Sequence, residues 1–250
     1  MADSRIDNQV LSVASDAVHR SERLARSYLR AELALREQGV QQTIVVFGST
    51  RIRELPKSPP DGRPDYYRIA RDFGAIVGRS GCGPTDCRLT LATGGGPGIM
   101  EAANRGASEV GAKSIGLTIK LPKEQVPNDY VSKELRLNFH YFAIRKLHFL
   151  IRAKALVVFP GGFGTLDELF ETLNLVQTGV IDPLPVVLIG KEFWRRAFDL
   201  KFLVARGVIN ASDRRLFWYS ETAAEAWDSI VQWHREAGEP LLCDADLPAQ

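Results

Sequence analysis

The sequence predicts an α/β fold, a doubly wound parallel sheet with helices on both faces, preceded by an N-terminal helical extension. Three observations predict it. First, short apolar runs recur at TIVVF (43–47), LTLAT (89–93), SIGLTI (114–119), ALVVF (155–159) and PVVLI (185–189). Each is nearly continuous rather than alternating, the pattern of strands buried on both faces. Second, helix-like segments lie between them, at about 64–80, 98–111, 132–153 and 165–178. Strand–helix alternation at this spacing builds βαβ units. Third, three of the runs end in glycine-bearing loops, which an open parallel sheet gathers at its carboxyl edge.

In chain order, residues 8–38 read as helix. Leu11, Ala14, Val18, Leu24, Tyr28 and Leu35 recur at roughly helical spacing, and Gly39 offers a stop. This gives an extension over 1–42, an α/β domain over 43–237 and a loosely held tail over 238–250. The segment RELPKSPPDGRPD (53–65) is a loop by composition, expected on the rim that carries the glycine loops. Strands then alternate with helices to the end of the domain. No internal repeat interrupts them.

Composition narrows the function. A content of 45% hydrophobic and 25% charged residues is that of a globular protein with a sizeable core. The formal net charge of +2 argues against a protein that coats nucleic acid or an anionic membrane. No signal peptide is read in MADSRIDNQV, and no apolar run is long enough to span a bilayer, so the cytoplasm is the expected compartment. Cys82 and Cys87 lack the second pair or histidine cluster of a metal site. They are expected to be reduced thiols.

Chemistry collects in the three loops FGST (47–50), TGGGPGIMEAA (93–103) and FPGGFGTLDE (159–168). Glycine lets backbone N–H groups approach an oxyanion, and the helix that follows aims its positive end at the same place. Gly95 and Gly96 in one loop, and Gly161, Gly162, Phe163, Gly164 and Thr165 in the other, are therefore candidate phosphate contacts. The competing reading is that the glycines only make tight turns. The dinucleotide fingerprint G-x-G-x-x-G fails at Ile99 and at Asp167, and no P-loop is present. A nicotinamide dehydrogenase and a kinase-like nucleotide hydrolase are both disfavoured.

Two charged features accompany the loops. YFAIRKLHFL (141–150) sets Arg145 and Lys146 within an apolar helix, either snorkelling to the surface or forming a cationic site for a phosphate or carboxylate. Phe142 and Phe149 give that helix a large apolar face. Glu168 falls in the first turn after GGFGT, where a carboxylate is favoured by the helix dipole. A carboxylate beside an anion site can stabilise the oxocarbenium-like transition state of ribosyl cleavage. His140 and His148 are read as structural.

GGGPGIMEAANRGA (94–107), RK (145–146) and PGGFGTLDE (160–168) resemble the LOG (Lonely Guy) family of cytokinin riboside 5′-monophosphate phosphoribohydrolases, many of them once labelled putative lysine decarboxylases. The resemblance runs from about Val45 to Leu188. It implies a Rossmann-like fold and a homodimer with its site near the subunit interface. It also implies hydrolysis of a nucleoside monophosphate to free base and ribose 5-phosphate, with no metal or redox cofactor. By motif, Arg145 and Glu168 match the family's catalytic pair. Lys146 and the 162–165 loop match substrate-binding positions. The extension 1–42 and the loop 53–65 exceed the short plant-like pattern and resemble longer bacterial relatives. A non-catalytic nucleotide-binding sensor or carrier is the alternative, although such a module has no need of an acid at 168 and a cation at 145.

Overall fold

The computed structural model describes residues 3–55, 64–120, 126–239 and 241, with side chains from Asp16 onward. A long helix, α1 (Asp3–Glu37), leads into β1 (Gln42–Phe47), α2 (Tyr66–Arg79), β2 (Leu89–Thr93), α3 (Ile99–Glu109) and β3 (Ser114–Ile119). After a single 3-10 turn come β4 (Arg136–Phe139), α4 (Phe142–Leu150), β5 (Ala153–Val158) and α5 (Phe163–Gln177). The chain closes with β6 (Val186–Ile189), α6 (Lys191–Ala197), α7 (Leu200–Ala205), β7 (Trp218–Ser220) and α8 (Ala223–Glu236).

The strands form one sheet in the order β4-β3-β2-β1-β5-β6-β7, parallel throughout. Its two faces follow from the two-residue period of the strands. Ile44 and Val46 of β1, with Ala155 and Val157 of β5, pack under α2, α3 and α8 on Phe73, Ala103 and Ile230. Val45, Phe47, Leu156 and Val158 point the other way, onto Leu35 of α1, Phe149 of α4, Leu169 of α5 and Trp194 of α6. The sheet is thus doubly wound.

Helices α2 and α3 cross with almost no side chain between them. A Cβ at Gly74 would collide with the Ala103 carbonyl, and one at Gly106 with the Arg71 carbonyl. The rim of this crossing is tied by Arg71 Nε to Glu109 Oε2 at 2.6 Å and by Arg105 Nη1 to Glu54 Oε2 at 3.0 Å. On the other face the C-terminal part of α1 docks through Ala31 and Leu35. Glu32 accepts there from Arg152 Nη2 at 2.8 Å.

The five anticipated strands are present, within one or two residues of their expected bounds. The helix expected over 132–153 is not one element. It contains the 3-10 turn at Lys133–Leu135, the edge strand β4, helix α4 and the start of β5. Leu135, Leu137 and Phe139 are buried at two-residue spacing while Asn138 is exposed. That is a strand period hidden inside an apolar stretch. Of the two phenylalanines expected on the apolar face of this helix, Phe149 is absorbed by the core, edge-on to Phe47 at 4.7 Å between centroids, while Phe142 stays exposed. The cause is the direction of α4. It starts at the carboxyl edge, where Phe142 overhangs the sheet, and ends over the strands.

Residues 56–63 of the 53–65 loop lie outside the described residues, as do 240 and 242–250 of the expected tail. Leu241, however, is buried in the core under α2 and α8. Among the described residues no helix is long and apolar enough to cross a membrane.

Candidate active site

Strand order reverses between β1 and β5, whose chains leave the carboxyl edge toward opposite faces of the sheet. The divergence leaves a crevice there, the place where open α/β sheets bind ligands. A cavity of about 660 Å³ fills it. Its lining comes from Gly48, Ser49 and Arg51 after β1, Gly94 and Met100 after β2, Ile119 at the end of β3, Phe142 and Arg145 of α4, and Gly162 to Thr165 with Glu168 of α5.

Helix α5 opens on Gly162 with no side-chain cap. The N–H groups of Thr165 and Leu166 return to the Gly162 carbonyl, each at 3.0 Å. Among the described residues, the N–H groups of Phe163 and Gly164 make no hydrogen bond, so the helix start presents open donors and a positive dipole end to the cavity. Phe163 is exposed, and Thr165 is buried. Gly161 stands behind the cavity wall. A Cβ there would collide with the Thr165 side chain, so its role is to let Thr165 pack.

The other expected glycines are placed differently. Gly95 donates to Thr93 Oγ1 at 2.9 Å, and its carbonyl accepts from Asn128 N at 2.8 Å. The Gly96 carbonyl accepts from Asn128 Nδ2 at 3.0 Å. Asn104 Oδ1 completes the network by accepting from Thr93 Oγ1 at 2.8 Å and Asn128 Nδ2 at 3.0 Å. Gly95 and Gly96 are buried and do not line the cavity, with the Gly95 N–H given to Thr93 and both carbonyls held by Asn128. Their neighbour Gly94 lines the cavity beneath Arg145. A Cβ at Gly94 would stand 2.7 Å from Arg145 Nη2 and 2.8 Å from Met100 Sδ, so a side chain there would press on both.

Arg145 does not snorkel. Its Nε donates to the Leu117 carbonyl at 2.7 Å, and its guanidinium carbon lies 4.9 Å from the Phe149 ring centroid. Burial lowers its pKa, against the pull of Glu168 and Asp167. Nη1 stands 3.7 Å from Glu168 Oε1, an ion pair without a hydrogen bond, so both groups keep lone pairs and donors for a third party. Glu168 is buried, and burial pushes its pKa up to about 7, against the attraction of Arg145 and Lys146. A carboxyl poised near neutrality in a cleft is suited to proton or charge work.

Lys146, one residue on, does not line the cavity. Its Nζ lies 2.9 Å from Asp167 Oδ2 and 2.9 Å from Glu171 Oε2. His148 is buried between the Tyr28 and Phe139 rings. Burial lowers its pKa, which suits a neutral structural imidazole. Among the described residues no cluster of His, Cys, Asp or Glu is arranged to hold a metal ion.

Two cavity features escape a reading of the sequence alone. Arg51 directly follows the FGST loop, and its N–H donates to Ser49 Oγ at 3.1 Å. A cation immediately after a strand-end glycine loop was the available signal. The apolar wall of Met100, Ile119 and Phe142 comes from three separate elements, and no local pattern announces it.

The fold and the crevice define an open, doubly wound α/β protein of the Rossmann-like class, with its cavity at the reversal of strand order. The chain belongs to the family described as "Possible lysine decarboxylase", the LOG family, whose model matches residues 100–230 and so takes in both Arg145 and Glu168. A rice protein (Oryza sativa subsp. japonica) named cytokinin riboside 5′-monophosphate phosphoribohydrolase LOG is 29% identical over 169 residues, which cover 64% of this chain and 66% of its own length, just under two thirds. An Arabidopsis thaliana protein of the same enzyme name is 29% identical over 181 residues, 68% of this chain and 77% of its own. Among solved structures, the molybdenum cofactor carrier protein of Chlamydomonas reinhardtii superposes with a TM-score of 0.50 at 23% identity, over 77% of this chain and 97% of that one. At that identity the likeness is one of fold.

Proposed function

We propose that the protein is a nucleoside 5′-monophosphate phosphoribohydrolase. It hydrolyses the N-glycosidic bond of AMP or of N6-modified AMP, a cytokinin riboside monophosphate, to free base and ribose 5-phosphate. The observation that carries this reading is the buried pair of Arg145 and Glu168, 3.7 Å apart, beside the open start of α5. The names of the rice and Arabidopsis relatives support it.

In this scheme the 5′-phosphate sits on the Phe163 and Gly164 N–H groups, within reach of Arg51. The base lies along Met100, Ile119 and Phe142. As the bond from ribose C1′ to the base breaks, positive charge spreads over C1′ and the ring oxygen, and the Glu168 carboxylate stabilises it. Water adds its hydroxyl to C1′, and its proton leaves with the base. Arg145 anchors the substrate's negative charge and favours the ionised form of Glu168 against the effect of burial. No step draws on a metal or redox cofactor. The compartment that fits this chemistry is the cytoplasm.

The test is release of free base from AMP and isopentenyl-AMP, with AMP binding measured separately. Because the active form of Glu168 is the carboxylate and its pKa is raised to about 7, kcat/KM should rise with pH through a limb near neutrality and level off above it. A rate that falls through the same range would make Glu168 an acid instead. Tight AMP binding with no base released from any nucleotide would favour the sensor or carrier.

The same reading includes a homodimer. Phe142, Leu147 and Ile151 are exposed at 51%, 44% and 46%, apolar side chains on and just beyond α4, with Phe142 at the cavity. Light scattering at micromolar concentration should give twice the 27.7 kDa chain mass. A single species of chain mass would rule the dimer out.

A further inference from the structure

The two halves of the site stand on different helices, Arg145 on α4 and Glu168 on α5. Their own contact, at 3.7 Å, is too long for a hydrogen bond and fixes their separation weakly. The neighbouring residue makes the short contacts. Lys146 Nζ sits 2.9 Å from both Asp167 and Glu171, one residue before Glu168 and three after it. One ammonium therefore spans the turn of α5 that carries Glu168. Its side chain is 16% exposed, far from the free swing of a surface lysine.

We infer that Lys146 is a positioning residue rather than a substrate ligand: by gripping Asp167 and Glu171 it bolts α4 to α5 and sets the distance between Arg145 and Glu168. The inference rests on the phosphoribohydrolase reading for its kinetic tests. Burial works against the ammonium, but the two carboxylates more than offset it, and its pKa stays above the ordinary lysine value. The clamp is therefore charged at any working pH. The charged groups around Glu168 are Arg145 and Lys146 from α4, Asp167 and Glu171 from α5, and Arg51 across the cavity. Lys146 helps to keep Glu168 ionised, and Glu171 opposes it.

The experiment compares Lys146→Met, Lys146→Arg and Glu171→Gln in the full chain, with base release followed against pH and substrate concentration and thermal unfolding run on the same samples. Lys146→Met should lose about tenfold to a hundredfold in kcat with KM changed less than about threefold, because a misplaced pair harms the transition state more than binding. Its pH limb should move upward, since a cation beside Glu168 is gone. Lys146→Arg should recover most of the kcat. Glu171→Gln, which does not line the cavity, should also lose kcat, but its limb should move downward because a like charge is gone.

A Lys146→Met variant whose KM rises tenfold or more, with kcat and pH limb as in the wild type, would make Lys146 a substrate ligand and overturn the inference. So would a Glu171→Gln variant unchanged in both. A wild type that releases no base defeats the functional reading separately. The clamp is then read by carbon-13 NMR titration of the Glu168 carboxyl, expected to move upward in Lys146→Met; an unmoved titration overturns it.

Discussion

Glu168→Gln is expected to lower kcat for base release from AMP by about two to four orders of magnitude while AMP affinity stays within a few-fold. Glutamine keeps the shape and volume of the side chain, so the cavity wall is unchanged. What it loses, on the proposed phosphoribohydrolase reading, is the negative charge opposite the developing oxocarbenium ion, an interaction that exists fully only in the transition state. Glu168 can exert that effect because it is buried. A charge in a site shielded from water acts with far less screening than one at the surface. The same burial raises its pKa to about 7, so the group stands at the edge of ionisation in the free protein. Steady-state kinetics and calorimetric AMP binding on the same preparation separate turnover from affinity, and thermal unfolding guards against a loss of fold. Near wild-type turnover would remove Glu168 from the mechanism.

Gly106→Val is expected to destabilise the protein by about 3 kcal/mol, the upper end of the cost of overpacking. For a chain of this size that is a fall in Tm of roughly 6–12 °C. Ordinarily a glycine inside an exposed helix is a weakness, and a larger residue strengthens the helix. Gly106 is different because its Cα faces the main chain of α2. The atom a side chain would meet is the Arg71 carbonyl oxygen, which no rotamer change can move. Relief requires α2 and α3 to separate, and that would strip Phe73 and Ala103 of their contacts in the core. Thermal unfolding followed by circular dichroism reads the effect. A Tm within about 2 °C of the wild type would mean that the helices do not cross so closely.

The sequence disclosed those parts of the molecule whose signal is local. The five buried strands are legible because each is apolar on both faces and therefore continuous. The edge strands are not. In β4, Leu137 and Phe139 are buried while Asn138 is exposed, and the alternation merges with the apolar helix that follows. Strand β7 is only three residues long.

Within the site, Arg145 and Glu168 stand out because each lies in a compact motif. The cavity itself was not legible, since it depends on which strand ends become neighbours. Ser49 and Arg51 share a cavity with Glu168 only because β1 pairs with β5, more than a hundred residues away. Nor does local composition tell an open glycine N–H from a committed one. The Gly95 N–H is given to Thr93 Oγ1, while among the described residues the Gly164 N–H at the start of α5 is open.

The placement of β1 has a bearing on the order of assembly. On one side of it lie β2, β3 and β4, all drawn from the chain before residue 140; on the other lie β5, β6 and β7, all drawn from the chain after residue 152. Parallel pairing closes no hairpins, so each strand must wait for its crossover to be made. A nascent chain can lay down the first side, and with it the Leu117 carbonyl that holds Arg145, while Glu168 is still unsynthesised. Glu168 comes into register only when β5 has docked against β1 and α5 has folded behind it. The Arg145–Glu168 contact is thus made across the seam that joins the two halves of the sheet, and any partly folded form in which that seam is open lacks the pair.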